Sequence, residues 1–350
     1  MSLPSVEQLI ADPIANYPLA TVACFDPTKG DLPRRKLDQR RLTAFLERLS
    51  AAGASAVLIA ASTGHGHLRT VNELAEWFVA AAEANMPSSL KTALLRPEDG
   101  DAANARLVDV LAQHDYRVVY IRPGTNLPQA ATDDEVAANM QPLVSQIASA
   151  GLAVGLYSIP DVSGVPMSAA AAAKLVAGPG GDRIVAIKVT EADYDRSTRT
   201  FLEHPRLSRL KIVQGWDPHL ARALKEGGQR MGVTSGPMSF AVFQYLPLLD
   251  AAERGDWTEV AAAQEAVSIL FRAMQDDPGK FADLQRAKYI MGLGQPLTGE
   301  VKPEQVERVI NALESLPRRE DRRRLAWSLD LMGDGPLHAR LKKLADDASL

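Results

Sequence analysis

Residues 184–190 read IVAIKVT, a run of branched aliphatic side chains interrupted by one lysine. The run does not alternate between apolar and polar residues, so it predicts a strand buried on both faces, as in a parallel sheet covered by helices. Similar runs recur along the chain. The predicted strands are Ala20–Phe25, Ala56–Ala61, Lys91–Leu95, Arg117–Ile121, Ala153–Ser158, Ile184–Lys188, Lys211–Gln214 and Arg230–Thr234.

Amphipathic segments lie between these strands and predict helices. The clearest are Asp38–Ala52, Val71–Asn85, Ala102–His114, Asp133–Ala150 and Ser168–Ala177. Eight strands alternating with helices over roughly 220 residues are typical of an α/β protein with a (β/α)8 TIM barrel. A doubly wound open sheet is the alternative, although it usually has fewer strands and a glycine-rich first turn.

After the eighth strand the pattern becomes purely helical. The predicted helices are Phe240–Arg254, Trp257–Gln275, Phe281–Met291 and Pro303–Leu316. We therefore expect an N-terminal lead-in over 1–17, the barrel over 18–240, a C-terminal helical bundle over 241–316 and a charged helical tail over 317–350. The tail carries an arginine cluster interleaved with Glu320 and Asp321, which predicts a solvated, salt-bridged helix more than a basic patch for an anionic partner.

Composition narrows the functional classes. The 350 residues include 39 Lys and Arg against 43 Asp and Glu, and 46% are hydrophobic. These values exclude wholesale disorder and argue against a nucleic-acid partner. The single cysteine, Cys24, excludes a disulfide framework and a cysteine-rich metal site. Without a long apolar run or a signal-peptide pattern, we expect a soluble, cytoplasmic protein with no membrane contact.

Three predicted strand ends carry side chains with catalytic potential, and strand ends are where barrel enzymes place their chemistry. Lys188 ends the sixth strand, where burial would lower its pKa and favour a neutral, nucleophilic amine; a lysine reaching to solvent is the alternative. Tyr157 ends the fifth strand and could transfer protons, or could be a core tyrosine bonded to a backbone carbonyl. Ser62 and Thr63 follow the second strand, and their hydroxyls suit a carboxylate, or form an ordinary helix cap.

A metal site is the competing interpretation of the second strand end. His65 and His67 have the spacing of a pair of ligands in metal-dependent barrel hydrolases, which need further ligands on other strand ends. His219 and Asp217 are the obvious additions, and they leave the ligand set incomplete. We therefore predict no metal and no other cofactor.

Taken together, the strand ends resemble the Schiff-base-forming class I aldolase family that contains dihydrodipicolinate synthase and N-acetylneuraminate lyase. Gly53–Gly64 (GASAVLIAASTG) is similar to the family's second strand and its loop with two hydroxyl residues and a glycine. Leu156–Val165 (LYSIPDVSGV) is similar to the tyrosine strand, and Ile184–Thr190 to the lysine strand. Gly215-Trp-Asp217 and Gly232-Val-Thr-Ser235 lie where the family has its seventh and eighth strand ends. The resemblance covers roughly residues 18–315.

The resemblance implies a role for each matching residue. Lys188 would form an imine with a 2-oxo acid such as pyruvate, and Tyr157 would act as the general acid and base, with Thr63 as its hydrogen-bond partner. Ser62 and Thr63 would hold the carboxylate of the 2-oxo acid. The implied substrate-binding residues are Ser62, Gly64, Thr190, Gly215, Asp217, Thr234 and Ser235. Family members commonly assemble, which implies a homo-oligomer, either a tetramer or a dimer.

The acceptor half of the pocket departs from both well-known branches of the family. Val162 stands where dihydrodipicolinate synthases have an arginine for the aldehyde substrate, and His65 stands where the family usually has glutamate. Pro218 replaces an acidic residue that the sialic-acid lyases have after Asp217. Arg122, after the fourth strand, is either a new anion contact or a surface arginine.

The resulting expectation is a lyase that acts on a 2-oxo acid through Lys188. The expected reaction is reversible aldol cleavage of a 2-keto-3-deoxy sugar acid or a related compound, with release of pyruvate. Within the family, a dehydratase or dihydrodipicolinate synthase itself is the alternative. From other classes, a metal-dependent barrel hydrolase using His65 and His67, or a non-catalytic metabolite-binding relative, stays open.

Overall fold

A closed barrel of eight parallel strands forms the centre of the computed structural model, which describes residues 3–273 and 282–347. Each strand pairs with its neighbours in the chain, and β8 closes the ring on β1. The strands are β1 Ala20–Ala23, β2 Ala56–Ile59, β3 Leu90–Leu95, β4 Val118–Ile121, β5 Ala153–Ser158, β6 Ile184–Val189, β7 Lys211–Gln214 and β8 Met231–Ser235. The (β/α)8 barrel predicted from the sequence is confirmed. Strand β2 ends before the predicted Ala61 because Ala60 adopts a positive φ of 61° and turns the chain out of the sheet.

Helices connect the strands and cover the barrel. They are α1 Val6–Ala11, α2 Pro13–Asn16, α3 Gln39–Ala51, α4 Val71–Ala82, α5 Asp101–Gln113, α6 Asp133–Ser149, α7 Pro160–Ser163, α8 Ala169–Ala177, α9 Thr198–Glu203, α10 Leu220–Gly227 and α11 Met238–Glu253. Side-chain caps fix several starts. Thr70 and Glu73 form a capping box at α4, and Thr132 and Glu135 form one at α6. A short antiparallel ribbon pairs Thr28–Lys29 with Lys36–Leu37 after β1.

The N-terminal lead-in packs against the amino-terminal end of the barrel. Leu9 and Tyr17 are buried in one cluster with residues that begin the strands, among them Ala56 and Leu90. The Tyr17 hydroxyl shares a hydrogen bond with the hydroxyl of Tyr120 on β4. This plug covers the end of the barrel opposite to the predicted site.

In the described part of the chain, α11 is followed by five further helices: α12 Trp257–Ala273, α13 Ala282–Ile290, α14 Pro303–Ser315, α15 Arg319–Leu329 and α16 His338–Asp347. The predicted helix ends at Gln275 and Phe281 lie outside the described residues. The domain boundary predicted between residues 240 and 241 falls inside α11, at a kink where Ala241 has a non-helical backbone (φ −130°, ψ 33°). Helix α11 is thus both the eighth helix of the barrel and the start of the helical extension.

The charged tail differs from the prediction of a solvated helix. On α15 the side chains of Leu325, Ala326 and Leu329 are buried in the same hydrophobic core as the barrel. Asp321 is also buried and accepts a hydrogen bond of 2.7 Å from Gln244 of α11. The apolar residues lie on one helical face between the arginines, so α15 packs on α11 while its charged face keeps the expected ion pairs, such as Arg324 with Glu320.

Over the described ranges, no helix combines the length and the apolar character needed to cross a membrane.

Candidate active site

The carboxyl ends of β5 and β6 bring Tyr157 and Lys188 side by side, because these residues are register partners in the parallel pair. The Lys188 side chain is almost completely buried, with 3% exposed, and its Nζ lies 4.2 Å from the centroid of the Tyr157 ring. A lysine extending to solvent, the alternative left open by the sequence, is therefore not what the fold produces. The strand directs the amine into the mouth of the barrel.

Burial changes the protonation of this lysine. Removal of the amine from water lowers the pKa of Lys188 to about 7, and the nearby Asp217 carboxylate opposes that shift. A substantial fraction of the side chain is therefore a neutral amine at neutral pH. A neutral amine is the form that can attack a carbonyl carbon.

The Tyr157 hydroxyl is held by Thr190, at 3.1 Å between the two oxygens. The expected hydrogen-bond partner was Thr63, so this part of the prediction is wrong. Thr190 lies two residues after Lys188 and follows β6, which places its hydroxyl beside the partner strand β5. Burial raises the pKa of Tyr157, so the phenol is protonated at neutral pH.

Ser62 and Thr63 lie in one turn of 3-10 helix, Ser62–Gly64, directly after β2. The Ser62 hydroxyl is buried and has no hydrogen-bond partner within residues 3–273 and 282–347. Thr63 is tied through its carbonyl oxygen, which accepts a bond of 2.9 Å from Gln285 of α13. The long helix α4 begins later, at Val71, and Thr70 is its cap, so Ser62 and Thr63 do not form the ordinary cap of this helix that the sequence left open.

At two of the predicted site glycines, a Cβ atom would overlap neighbouring atoms. A Cβ on Gly215 would lie 2.1 Å from the Thr190 Oγ1 and 3.0 Å from the Lys188 Cε. A Cβ on Gly64 would lie 2.5 Å from the Trp77 ring and 2.6 Å from the Cys24 carbonyl oxygen. Gly215 therefore makes room for the lysine, whereas Gly64 lets the turn pack onto the wall of the barrel.

Asp217 and Ser235, both predicted to bind substrate, bind each other. The Oδ1 atom of Asp217 accepts a hydrogen bond of 2.5 Å from the Ser235 hydroxyl and another of 2.5 Å from the hydroxyl of Tyr245 on α11. Burial raises the pKa of Asp217, and these two donors oppose the rise. The neighbouring Thr234 hydroxyl is buried and lacks a partner within the described chain.

His65 and His67 lie edge to face with ring centroids 5.8 Å apart. Burial lowers the pKa of each to about 4, so both imidazoles are neutral at pH 7. In the part of the chain that the structure describes, no group of three or more His, Cys, Asp or Glu side chains is placed to hold a metal ion. The two histidines are polar, uncharged members of the barrel mouth.

Arg122 is buried, with 1% exposed, and forms an ion pair with Glu98. The surface position considered from the sequence is therefore wrong. Its Nη1 also donates to the Pro123 carbonyl oxygen at 2.7 Å. The positive charge of Arg122 reaches the Tyr157 hydroxyl and favours its ionised form.

A buried ionic cluster at the ends of β1 and β3 escaped the sequence analysis. Asp26 binds Arg69 at 2.6 Å and Lys288 of α13 at 2.9 Å. Arg96 binds Asp99 at 2.7 Å and donates to the Gly66 carbonyl oxygen at 3.0 Å, which fixes the loop after β2. Asp26 and Arg96 closely follow strands, so the strand-end rule used for Lys188 would have found them.

The fold and the site define a (β/α)8 barrel with a buried, readily deprotonated lysine at the carboxyl end of its sixth strand. Residues 136–308 match the model of the dihydrodipicolinate synthetase family. This match confirms the resemblance inferred from the strand ends. Among curated proteins, none matches the sequence.

Several solved structures have the same fold as this chain. YagE, a prophage protein of the dihydrodipicolinic acid synthase family from Escherichia coli K12 in complex with pyruvate, has 16% identity and a TM-score of 0.74, covering 85% of this chain and 98% of its own. Dihydrodipicolinate synthase from Aquifex aeolicus has 18% identity and a TM-score of 0.72, with coverages of 86% and 99%. A variant of 2-keto-3-deoxygluconate aldolase from Sulfolobus solfataricus in complex with L-2-keto-3-deoxygalactonate has 17% identity and a TM-score of 0.70, with coverages of 85% and 96%. At these identities the likeness concerns the fold.

Proposed function

We propose that this protein is a Schiff-base-forming lyase that cleaves a 2-keto-3-deoxy sugar acid, or a related compound, and releases pyruvate. The observation that carries the proposal is the buried Lys188, whose pKa of about 7 leaves much of the amine neutral, packed against Tyr157 at the barrel mouth. A buried lysine with a low pKa costs stability, and such groups cluster at functional sites.

The chemistry begins when the neutral Nζ of Lys188 attacks the C2 carbonyl carbon of the 2-oxo acid. Tyr157 donates its proton to the departing hydroxyl, which leaves as water and yields an iminium. The C3–C4 bond then breaks, its electron pair passes into an enamine, and the proton of the C4 hydroxyl returns to the Tyr157 oxygen. The C4 fragment leaves as an aldehyde, and Tyr157 then donates its proton to C3 of the enamine. Water adds to the resulting iminium and returns a proton to Tyr157, so pyruvate is released and Lys188 is restored as the neutral amine.

Ser62 and Thr63 are proposed to bind the carboxylate of the 2-oxo acid. The Ser62 hydroxyl supports this assignment because it has no hydrogen-bond partner among the described residues. A buried donor without a partner destabilises the protein, and a bound carboxylate would remove that cost. Thr190 positions the Tyr157 hydroxyl at 3.1 Å. Gly215 keeps the space beside Lys188 open, and the buried Thr234 hydroxyl likewise has no hydrogen-bond partner among the described residues.

A sugar-acid substrate is favoured over the substrate of dihydrodipicolinate synthase. Val162, on the one-turn helix α7, stands where that branch of the family has its aldehyde-binding arginine. Two solved relatives carry pyruvate and a 2-keto-3-deoxy sugar acid, which is the ligand pair this proposal requires. We further propose that the enzyme works in the cytoplasm as a homo-oligomer.

The test is reductive trapping. The protein is incubated with pyruvate and borohydride, and the modified peptide is identified by mass spectrometry. We expect one pyruvate-derived adduct, on Lys188, which is lost in Lys188→Met. Lys211→Met is the matched control, because Lys211 is another buried lysine, with a pKa lowered to about 8, at the amino-terminal end of the barrel. An adduct on Lys211, or no adduct with pyruvate or with longer 2-oxo acids, would contradict the proposal.

A further inference from the structure

We infer that Asp217 is the counter-ion of Lys188 and of the iminium formed on it, and that Tyr245 of α11 positions the Asp217 carboxylate for this role. The inference rests on the proposed function and deepens it. It differs from the role that the family resemblance implies, in which Asp217 contacts the sugar chain of the substrate.

The hydrogen bonds of Asp217 indicate a fixed anion. Its side chain is buried, with 1% of the residue exposed, and Oδ1 accepts bonds from both Ser235 and Tyr245. The Ser235 oxygen itself accepts a bond of 3.1 Å from the backbone N–H of Met238, which orients the serine hydroxyl toward the carboxylate. Two hydroxyl donors on one oxygen stabilise the ionised form of a carboxyl group.

The loop that carries Asp217 is tied down from the helical extension. Gln264 of α12 donates to the Asp217 carbonyl oxygen at 3.0 Å, and its own amide oxygen accepts from the Ala221 N–H at 2.8 Å. Asp217 therefore cannot swing freely toward a ligand. A carboxylate held by two hydroxyl donors, on a backbone that Gln264 fixes, suits a constant electrostatic role more than a contact that adapts to substrate.

The charged and titratable groups around Lys188 and Asp217 determine the protonation of these two side chains. Lys188 contacts the Tyr157 ring from β5, and its Cε lies 3.0 Å from the position of a Cβ on Gly215, two residues before Asp217. The Asp217 charge acts on Lys188, and the hydroxyl of Tyr245 donates to Asp217; burial raises the pKa of Tyr245, so this phenol stays protonated and keeps donating. The charges of Arg122 and Asp161 also act on the Tyr157 hydroxyl: Arg122 lowers its pKa and Asp161 raises it. The anion that acts on Lys188 among these groups is Asp217.

A counter-ion has a specific consequence for imine chemistry. A nearby negative charge stabilises both the ammonium form of Lys188 and the iminium cation. Loss of that charge makes the amine neutral at lower pH and also makes the iminium lose its proton at lower pH. The whole pH range over which pyruvate can be trapped therefore moves in the acid direction.

The experiment measures borohydride trapping of pyruvate on Lys188 as a function of pH. Pyruvate lacks the aldehyde half of a sugar acid, so loss of a contact to that half leaves this readout unchanged. For Asp217→Asn we expect the acidic and the basic limb of the pH profile both to move to lower pH, by about one pH unit or more. For Tyr245→Phe we expect a smaller shift in the same direction, because Asp217 keeps Ser235 but loses one donor. Tyr116→Phe is the matched control, a buried tyrosine that donates to the Phe78 carbonyl oxygen at 2.9 Å, and its profile should not move.

The outcomes separate the two proposals. If the wild-type protein is labelled and the profiles of folded Asp217→Asn and Tyr245→Phe coincide with it, the counter-ion role is overturned and the lyase proposal stands. If Asp217→Asn fails to fold, an unshifted Tyr245→Phe profile still overturns the inference. If the wild-type protein is not labelled at all, the proposed function fails and the inference fails with it.

Discussion

At the scale of single residues, the environment of Lys188 depends on Gly215 having no side chain. Gly215 lies on the neighbouring strand end, and any Cβ there would overlap the Thr190 hydroxyl and press on the Lys188 side chain. Thr190 in turn holds the Tyr157 hydroxyl. The positions of Lys188, the proposed nucleophile, and Tyr157, the proposed proton donor, are therefore coupled through one small gap in the barrel wall.

Gly215→Ala should abolish most of the labelling of Lys188 by pyruvate and borohydride. The new Cβ would lie 2.1 Å from the Thr190 Oγ1 and 3.0 Å from the Lys188 Cε, so both side chains must shift. We expect a loss of about tenfold or more, because small displacements of reacting groups cost that much. Overpacking should also lower the free energy of unfolding by about 1–3 kcal/mol. Intact-mass measurement of the adduct and urea unfolding check the two effects.

Gly227→Ala is the control for that variant. Its Cβ would meet the flexible end of Met231 at 2.9 Å, and Gly227 ends α10 with an ordinary φ of −89°. Labelling should equal that of the wild-type protein. Equal labelling in Gly215→Ala would show that the gap beside Lys188 is not required.

At the scale of elements, α13 is attached to the barrel mouth by buried polar contacts. Lys288 donates to both a side-chain and the backbone oxygen of Asp26 at 2.9 Å, and Gln285 donates to the Thr63 carbonyl oxygen. Asp26 also binds Arg69, so one carboxylate serves two cations whose side chains are no more than 1% exposed. The helical extension therefore helps to fix the turn that carries Ser62 and Thr63.

Asp26→Asn should destabilise the protein more than Lys288→Met. Loss of the carboxylate leaves the buried Lys288 without its ion-pair partner and leaves Arg69 paired only with Glu73, at 3.3 Å, which should cost about 3–5 kcal/mol. Lys288→Met keeps the pair of Asp26 with Arg69 and removes two hydrogen bonds, so a cost of about 1–2 kcal/mol is expected. Urea unfolding at pH 7 measures both. Equal costs would mean that the cluster does not depend on the Asp26 carboxylate.

At the scale of the whole molecule, the barrel and the C-terminal helices share one hydrophobic core. Leu329 of α15 belongs to the same buried cluster as the strands and the barrel helices. Ser328 accepts a bond of 3.1 Å from the backbone N–H of Phe243, which joins α15 directly to α11. We therefore expect the described C-terminal helices and the barrel to unfold together.

Leu329→Ala should lower the unfolding midpoint of the entire protein, while Trp327→Ala should hardly change it. Leu329 is 1% exposed, and its truncation should cost about 2–4 kcal/mol; Trp327 is 50% exposed, and its loss should cost less than about 1 kcal/mol. Near-UV circular dichroism, intrinsic fluorescence and urea titration follow the transition. A small and equal effect of both substitutions would support the solvated helix that the charge pattern predicted.

Local patterns in the sequence determined the elements of this protein. Continuous apolar runs predicted the strands, and amphipathic segments such as Val71–Asn85 predicted the helices, because these signals depend on residues a few positions apart. The position of Lys188 at a strand end was also visible, since strand ends meet at one face of any parallel barrel. The charged stretch after residue 317 predicted a solvated helix, which is wrong for α15, because its arginines outnumber the apolar residues on the buried face of that helix.

Tertiary structure decided which side chains meet. Closure of the barrel brings Lys288 to Asp26, separated by 262 positions, and Tyr245 to Asp217, separated by 28. It also gives Tyr157 the hydroxyl of Thr190 in place of that of Thr63. Burial shifts the pKa of Lys188 to about 7, and burial is a property of the assembled barrel. The order of residues thus specified the candidate nucleophile, while the packing of distant elements set its protonation and its partners.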